Sequence, residues 1–211
     1  MLRTFSSENF HAICDTLASA DADLAVILHA HGYPPMWTRP NTYETLVHII
    51  LEQQVSLASA LAALKKLQEK TKGITPRKIL KLTDEELKAC YVSRQKAIYI
   101  RGLAEALISK QLDLEALAVM SDDNVRATLI KLKGIGNWTI DVYLMFVLQR
   151  ADVFPPGDLA AVNALKRAKR LPKDTPREEL LAITAQWAPY RTVATMVLWH
   201  HYLSAPLRKN P

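Results

Sequence analysis

The 211 residues suffice for one compact body or two small subdomains, and a composition that is 49% hydrophobic and 23% charged excludes a disordered or low-complexity chain. Lys and Arg outnumber Asp and Glu by 27 to 21, a balance of +6 that suits a polyanionic partner without identifying one. Two cysteines, Cys14 and Cys90, exclude a disulfide framework, a four-cysteine zinc site and an iron–sulfur cluster.

The N-terminus has no apolar run of signal-peptide length. The most apolar stretches, 140–148 and 193–203, fall far short of the roughly 20 residues that cross a membrane. A reducing, cytoplasmic setting is therefore expected, or the nucleus in a eukaryote. From the N-terminus onward nearly every segment reads as helix, and alternating β-branched runs closed by Asn-Gly or Asp-Gly turns are missing. Asn41 precedes Glu44 by three residues, and after it Leu46, Ile50, Leu57, Leu61 and Leu64 recur at helical intervals. Gln53-Gln54 interrupts this stretch and Ser56 can cap a fresh helix, so helices are expected at 42–52 and 56–70. Thr83 with Glu86 and Thr175 with Glu178 repeat the capping-box pattern, Pro176 suits a first turn, and Ser121 caps the run that opens with Asp122-Asp123. Further helices are expected at 83–90, 94–110, 112–119, 122–131, 137–149, 159–170, 176–187 and 190–203. The proline-rich piece 153–157 is the conspicuous irregular loop of the C-terminal half. The segments are not self-similar, which excludes a solenoid.

Leu132-Lys133-Gly134-Ile135-Gly136 joins two of these expected helices. Glycine at 134 and 136 permits a tight turn and close backbone approach. The amides there open the helix at Asn137, where N–H groups and the helix dipole favour an anion, and Lys133 adds charge. Such a device holds a phosphate without reading base sequence. Spacing alone favours an ordinary glycine-rich turn, and for Asp158 a plain cap of the helix that begins at 159.

These pieces, taken together, change that reading. The run from Leu132 to Thr139, followed by 152–159 (Asp-Val-Phe-Pro-Pro-Gly-Asp-Leu), resembles the helix-hairpin-helix DNA glycosylase superfamily, and within it the alkylpurine (3-methyladenine DNA glycosylase II) family. Residues 50–56 (Ile-Leu-Glu-Gln-Gln-Val-Ser), 93–97 (Ser-Arg-Gln-Lys-Ala) and 187–194 (Trp-Ala-Pro-Tyr-Arg-Thr-Val-Ala) match further family segments, in family order, over about residues 40 to 203. Two positions depart from the pattern: Tyr91-Val92 stands where a glycine is expected, and Ile140 where alanine is usual.

The resemblance implies an all-α fold, with two helical subdomains flanking a DNA-binding cleft. It implies a single glycosylase domain over 1–211, its hairpin motif at about 122–149, without the N-terminal β domain of some relatives. It implies a monomer acting on double-stranded DNA with damaged bases, and a catalytic carboxylate at Asp158, 20 residues after Trp138. A fixed anion stabilises the positive charge that develops at C1′ as the base leaves, and can orient water. Strand-nicking relatives carry a Schiff-base lysine two residues after the second hairpin glycine. Here that position is Trp138, which has no amine, so a monofunctional enzyme is expected. Trp138 and Trp199 are the expected stacking walls for a flipped, positively charged purine, with Trp187 and Trp37 as weaker candidates. Gln53 or Gln54, with Gln54 preferred, is the expected wedge that fills the vacated stack. Lys133, Gly134, Ile135, Gly136 and Thr139 form the expected DNA-binding hairpin. The resemblance implies no cofactor beyond a structural Na⁺ or K⁺ on the carbonyls of Ile130, Leu132 and Ile135. Asp152 is expected to be structural or solvated. The alternatives are a glycosylase of this fold for other damaged or mismatched bases, and a non-catalytic DNA-binding module.

Overall fold

The computed structural model describes residues 3–204. Over that span the chain is helical, with α1 (Phe10–Ala20), α2 (Ala22–His31), α3 (Tyr43–Glu52), α4 (Leu57–Thr71), α5 (Pro76–Ile79), α6 (Asp84–Ala89), α7 (Arg94–Ile108), α8 (Leu114–Val119), α9 (Asp122–Leu129), α10 (Asn137–Phe146), α11 (Leu159–Ala168), α12 (Arg177–Ala185) and α13 (Arg191–Ser204). Among the described residues the only β pairing is an isolated bridge, Thr4 with Arg150. No described helix is long and apolar enough to cross a membrane.

The chain divides into two compact units, residues 1–38 with 144–211, and residues 39–143. The first unit is built from both ends of the chain. In that first unit α1 buries Phe10, Ile13, Cys14 and Leu17, an i, i+3, i+4, i+7 stripe, and α2 and α11 pack on α13. Residues 192–199 of α13 are all buried, so this helix is the unit's central rod. In the second unit α3 is buried along nearly its whole length, packs on α4 and α7, and α5 and α6 close against α7.

Caps set most of the helix starts. Ser56, Ser93 and Ser121 accept from the backbone N–H three residues on, and Thr83 with Glu86 forms a complete capping box. Two expected boxes are absent. Thr42, not Asn41, caps α3; Glu44 accepts from Gln68 and from the Ile74 amide, while Asn41 bridges the Tyr143 hydroxyl and the Leu114 carbonyl. The α12 cap is Pro176, because the Thr175 hydroxyl donates to the Pro172 carbonyl instead. The helices expected at 94–110, 137–149, 159–170 and 176–187 all end sooner, at Ile108, Phe146, Ala168 and Ala185. Lys110, Gln149 and Arg170 just beyond three of them take left-handed φ values of 60°, 51° and 54°, which closes the last turn.

Candidate active site

Asp158 caps α11. Its Oδ1 accepts from the Ala161 amide at 2.8 Å, and its own amide donates to the Pro155 carbonyl, so residues 155–158 form a turn that sets the carboxyl at the head of the helix. The same Oδ1 accepts the indole N–H of Trp199 at 3.2 Å. Trp199, 9% exposed, lies on α13, tilted against Phe146 with ring centroids 5.3 Å apart and edge-on to Trp37 at 6.5 Å. The first unit therefore holds a half-buried carboxylate whose orientation is fixed by one backbone and one indole N–H, beside a wall of three aromatic rings. Asp158 and Trp199, both singled out in the sequence, thus lie together, with Trp37, the weaker candidate, beside them. Phe146 was not singled out, because its contact with Trp199 joins residues 53 apart in the chain and leaves no local signal.

Trp187 does not belong to that wall. It is 2% exposed, and its indole N–H donates at 2.7 Å to Asp21 Oδ2, which also takes Lys169 Nζ at 2.7 Å. The base-pocket role expected of it gives way to a structural one: Trp187 anchors the N-terminal helices to the rest of its unit. Burial pushes the Asp21 carboxyl up, but the hydrogen bonds from Lys169, Trp187 and the Leu24 amide outweigh it and hold the group below its ordinary value. Asp152 is structural as expected, bound by Arg191 Nε and Nη2 at 2.7 and 2.9 Å.

The glycine hairpin lies in the second unit, between α9 and α10. Gly134 has φ of 88°, and a Cβ there would stand 2.1–2.4 Å from ring atoms of Tyr99. Gly136 is exposed, and a Cβ there would meet nothing within 4 Å. The two glycines thus have different reasons: the first is required by turn and packing, the second leaves open backbone facing solvent. Gln53 Nε2 donates to the Gly134 carbonyl at 2.8 Å and to Thr139 Oγ1 at 2.9 Å, clamping the hairpin to the end of α3. This corrects two expectations. Thr139, 2% exposed, faces inward and offers no side chain to a ligand, and Gln53 is a clamp rather than a wedge. Ile135 is also buried, and its amide donates to the Leu132 carbonyl at 3.1 Å, so it too is spent within the turn. Lys133 and Gly136 are exposed. Gln54, the preferred wedge, is exposed and held at a left-handed φ of 57° between α3 and α4. Trp138 is half-buried in the first turn of α10. Tyr91, standing where a glycine was expected, has φ of 62°, the region that glycine fills at least cost.

The family model of the HhH-GPD superfamily, base excision DNA repair proteins, matches residues 47–189. The chain belongs to that superfamily. Among HhH-GPD relatives, a putative DNA-3-methyladenine glycosylase of Bacillus subtilis is 29% identical over 83% of this chain and 64% of its own length, so this chain spans somewhat less than two thirds of that protein. DNA-3-methyladenine glycosylase 1 of Schizosaccharomyces pombe is 32% identical over 74% of this chain and 71% of its own. The structure of the 3-methyladenine DNA glycosylase of the same yeast, in complex with abasic DNA, superposes with a TM-score of 0.81 at 28% identity, covering 89% of this chain and 95% of that one. These relatives carry the name of the alkylpurine branch, the branch that the sequence motifs resemble.

Proposed function

We propose that this HhH-GPD protein is a monofunctional DNA glycosylase of base excision repair. It hydrolyses the N-glycosidic bond of flipped, alkylated purines of the 3-methyladenine and 7-methylguanine type in duplex DNA, acting as a monomer. The observation that carries the reading is Asp158, capping α11 with the Trp199 N–H on its carboxylate beside the rings of Trp37, Trp199 and Phe146. As the base departs, positive charge forms at C1′ and the ring oxygen. A carboxylate already oriented by two donors stabilises that charge with little reorganisation and can hold or deprotonate the attacking water. An electron-rich aromatic wall attracts a cationic purine, and that cation is a good leaving group, so no strong general acid is needed. Trp138, at the position of the strand-nicking lysine, leaves no amine for a Schiff base.

In this reading the exposed Gly136 backbone and Lys133 take a DNA phosphate, and Gln54 enters the stack that the flipped nucleotide leaves. Three neutral carbonyls, of Ile130, Leu132 and Ile135, are a donor set that suits a monovalent cation, although the Leu132 oxygen already accepts one N–H. An ion held there would supply positive charge at the hairpin.

The test uses duplex DNA carrying a single 7-methylguanine or 3-methyladenine. Free base is released, and the strand breaks only after alkali. Asp158→Asn keeps the cap, since asparagine caps as well as aspartate, but slows release by a factor on the order of 10² or more while DNA binding persists. Release by Asp158→Asn at the original rate overturns the catalytic assignment. Breakage without alkali overturns the monofunctional one.

A further inference from the structure

The end of α11 and the loop after it carry Lys166, Arg167, Lys169, Arg170 and Lys173 within eight residues. Lys169 turns towards Asp21 and Asp23, at 2.7 and 2.9 Å, and is neutralised there. The other four cations line one cavity of about 630 Å³ together with Asn163 and Tyr202. No carboxylate lines it, and among the described residues none pairs with Arg167, Arg170 or Lys173. Lys166 Nζ donates to the Lys173 carbonyl at 2.6 Å and ties the loop back to the helix. The Arg167 guanidinium lies 5.6 Å from the Tyr202 ring centroid, and that ring is 36% exposed.

The like charges gathered around this hollow repel, and a concave wall of one sign concentrates the potential. The negative end of the α11 dipole offsets part of the repulsion. It accounts neither for Lys173, beyond the helix, nor for the hollow and its aromatic side. An anion accounts for all three. Guanidinium groups match phosphoryl oxygens in a bidentate fork, and an exposed tyrosine ring offers a stacking face to a base. None of Asp158, Trp199, Trp37 and Phe146 lines the hollow, and Arg170 lies 12 residues after Asp158, beyond the ten residues of α11 that span roughly 15 Å.

We propose that this hollow is a second anion site, separate from the glycine hairpin, which takes the phosphoryl groups of a nucleic-acid strand or of a free nucleotide. The strand as source rests on the glycosylase reading; the phosphoryl chemistry does not.

The experiment compares wild type with the triple variant Arg167→Ala, Arg170→Ala, Lys173→Ala. A control variant removes the same charge elsewhere, Lys65→Ala, Lys81→Ala, Lys88→Ala. One arm titrates pyrophosphate and ATP by calorimetry. The other measures fluorescence anisotropy of 12- and 30-base-pair duplexes centred on an abasic analogue, at several salt concentrations. Wild type is expected to bind at least one ligand set, with the triple variant weaker by fivefold or more and the control within twofold. A loss confined to the 30-base-pair duplex, with a salt slope lower by about 0.9 per phosphate contact removed, identifies a strand. A loss confined to pyrophosphate and ATP identifies a small phosphate ligand. Wild type that binds the small ligands but no duplex leaves this site standing and removes the glycosylase reading. Equal affinities of wild type and triple variant in both arms, or an equal loss in the control, overturn the proposal.

Discussion

Gly134→Ala tests how tightly the hairpin is built. A methyl at this position would stand 2.1 Å from Tyr99 Cγ, at the root of the ring rather than its far end, and the Tyr99 hydroxyl is held by Gln95. A non-glycine residue at φ of 88° costs roughly 1–2 kcal/mol, and overpacking adds about 1–3 kcal/mol, a sum of roughly 2–5 kcal/mol. At about 2–4 °C per kcal/mol for a chain of this size, the melting temperature should drop by roughly 4–20 °C. Urea unfolding of Gly134→Ala, Tyr99→Ala and the double variant separates the two terms. With the ring gone, adding the methyl should cost only the backbone term, on the order of 1–2 kcal/mol. Gly136→Ala is the internal comparison. Its Cβ meets nothing, so stability should stay within about 0.5 kcal/mol while affinity for duplex DNA falls. An unchanged midpoint for Gly134→Ala, or the same penalty with and without Tyr99, refutes the packing argument.

Three further outcomes follow from the geometry. Gln53→Ala should lower stability by about 1–3 kcal/mol, because two hydrogen bonds to the hairpin are lost, while Gln54→Ala should leave unfolding unchanged and slow base release; the reverse pattern exchanges their roles. Asp21, with its carboxyl held below 3.8, adds stability that is complete above that pH and is lost as the pH falls through the lower folded value. Asp21→Asn should therefore flatten the acid limb of the stability–pH curve, and Trp187→Phe should reduce stability without weakening DNA binding. The buried Cys14 thiol is pushed up to about 12, and burial raises Cys90 as well, so iodoacetamide at pH 8 should label neither until the protein is unfolded; rapid labelling of the native protein contradicts both placements.

What the sequence disclosed divides along physical lines. Helix starts whose caps lie next to them, such as Ser56, Thr83 and Ser121, could be read directly, because the signal and the structure are both local. The two N-terminal helices were not separately anticipated: the Asn9 side chain makes no cap bond for α1, and α2 is apolar on more than one side. Asp158 was legible through its motif, and its capping role through its place before α11. Trp187 misled because its motif advertises an aromatic residue, whereas its role depends on Asp21, 166 residues away. The distinction between Gln53 and Gln54 lay in backbone direction: at neighbouring positions, one side chain turns in to the hairpin and the other is left in solvent.

In the proposed reading one residue serves two purposes at the head of α11, and this restricts what genetic variation can reveal there. Hydrophobic or basic replacements at 158 remove the charge and also unravel the first turn of the helix, so a loss of repair capacity cannot be told from a shortage of folded protein. Asparagine, and next to it serine, keep the turn wound. A survey of all nineteen substitutions should therefore return the other capping residues, asparagine, serine, threonine and glycine, as abundant yet inert.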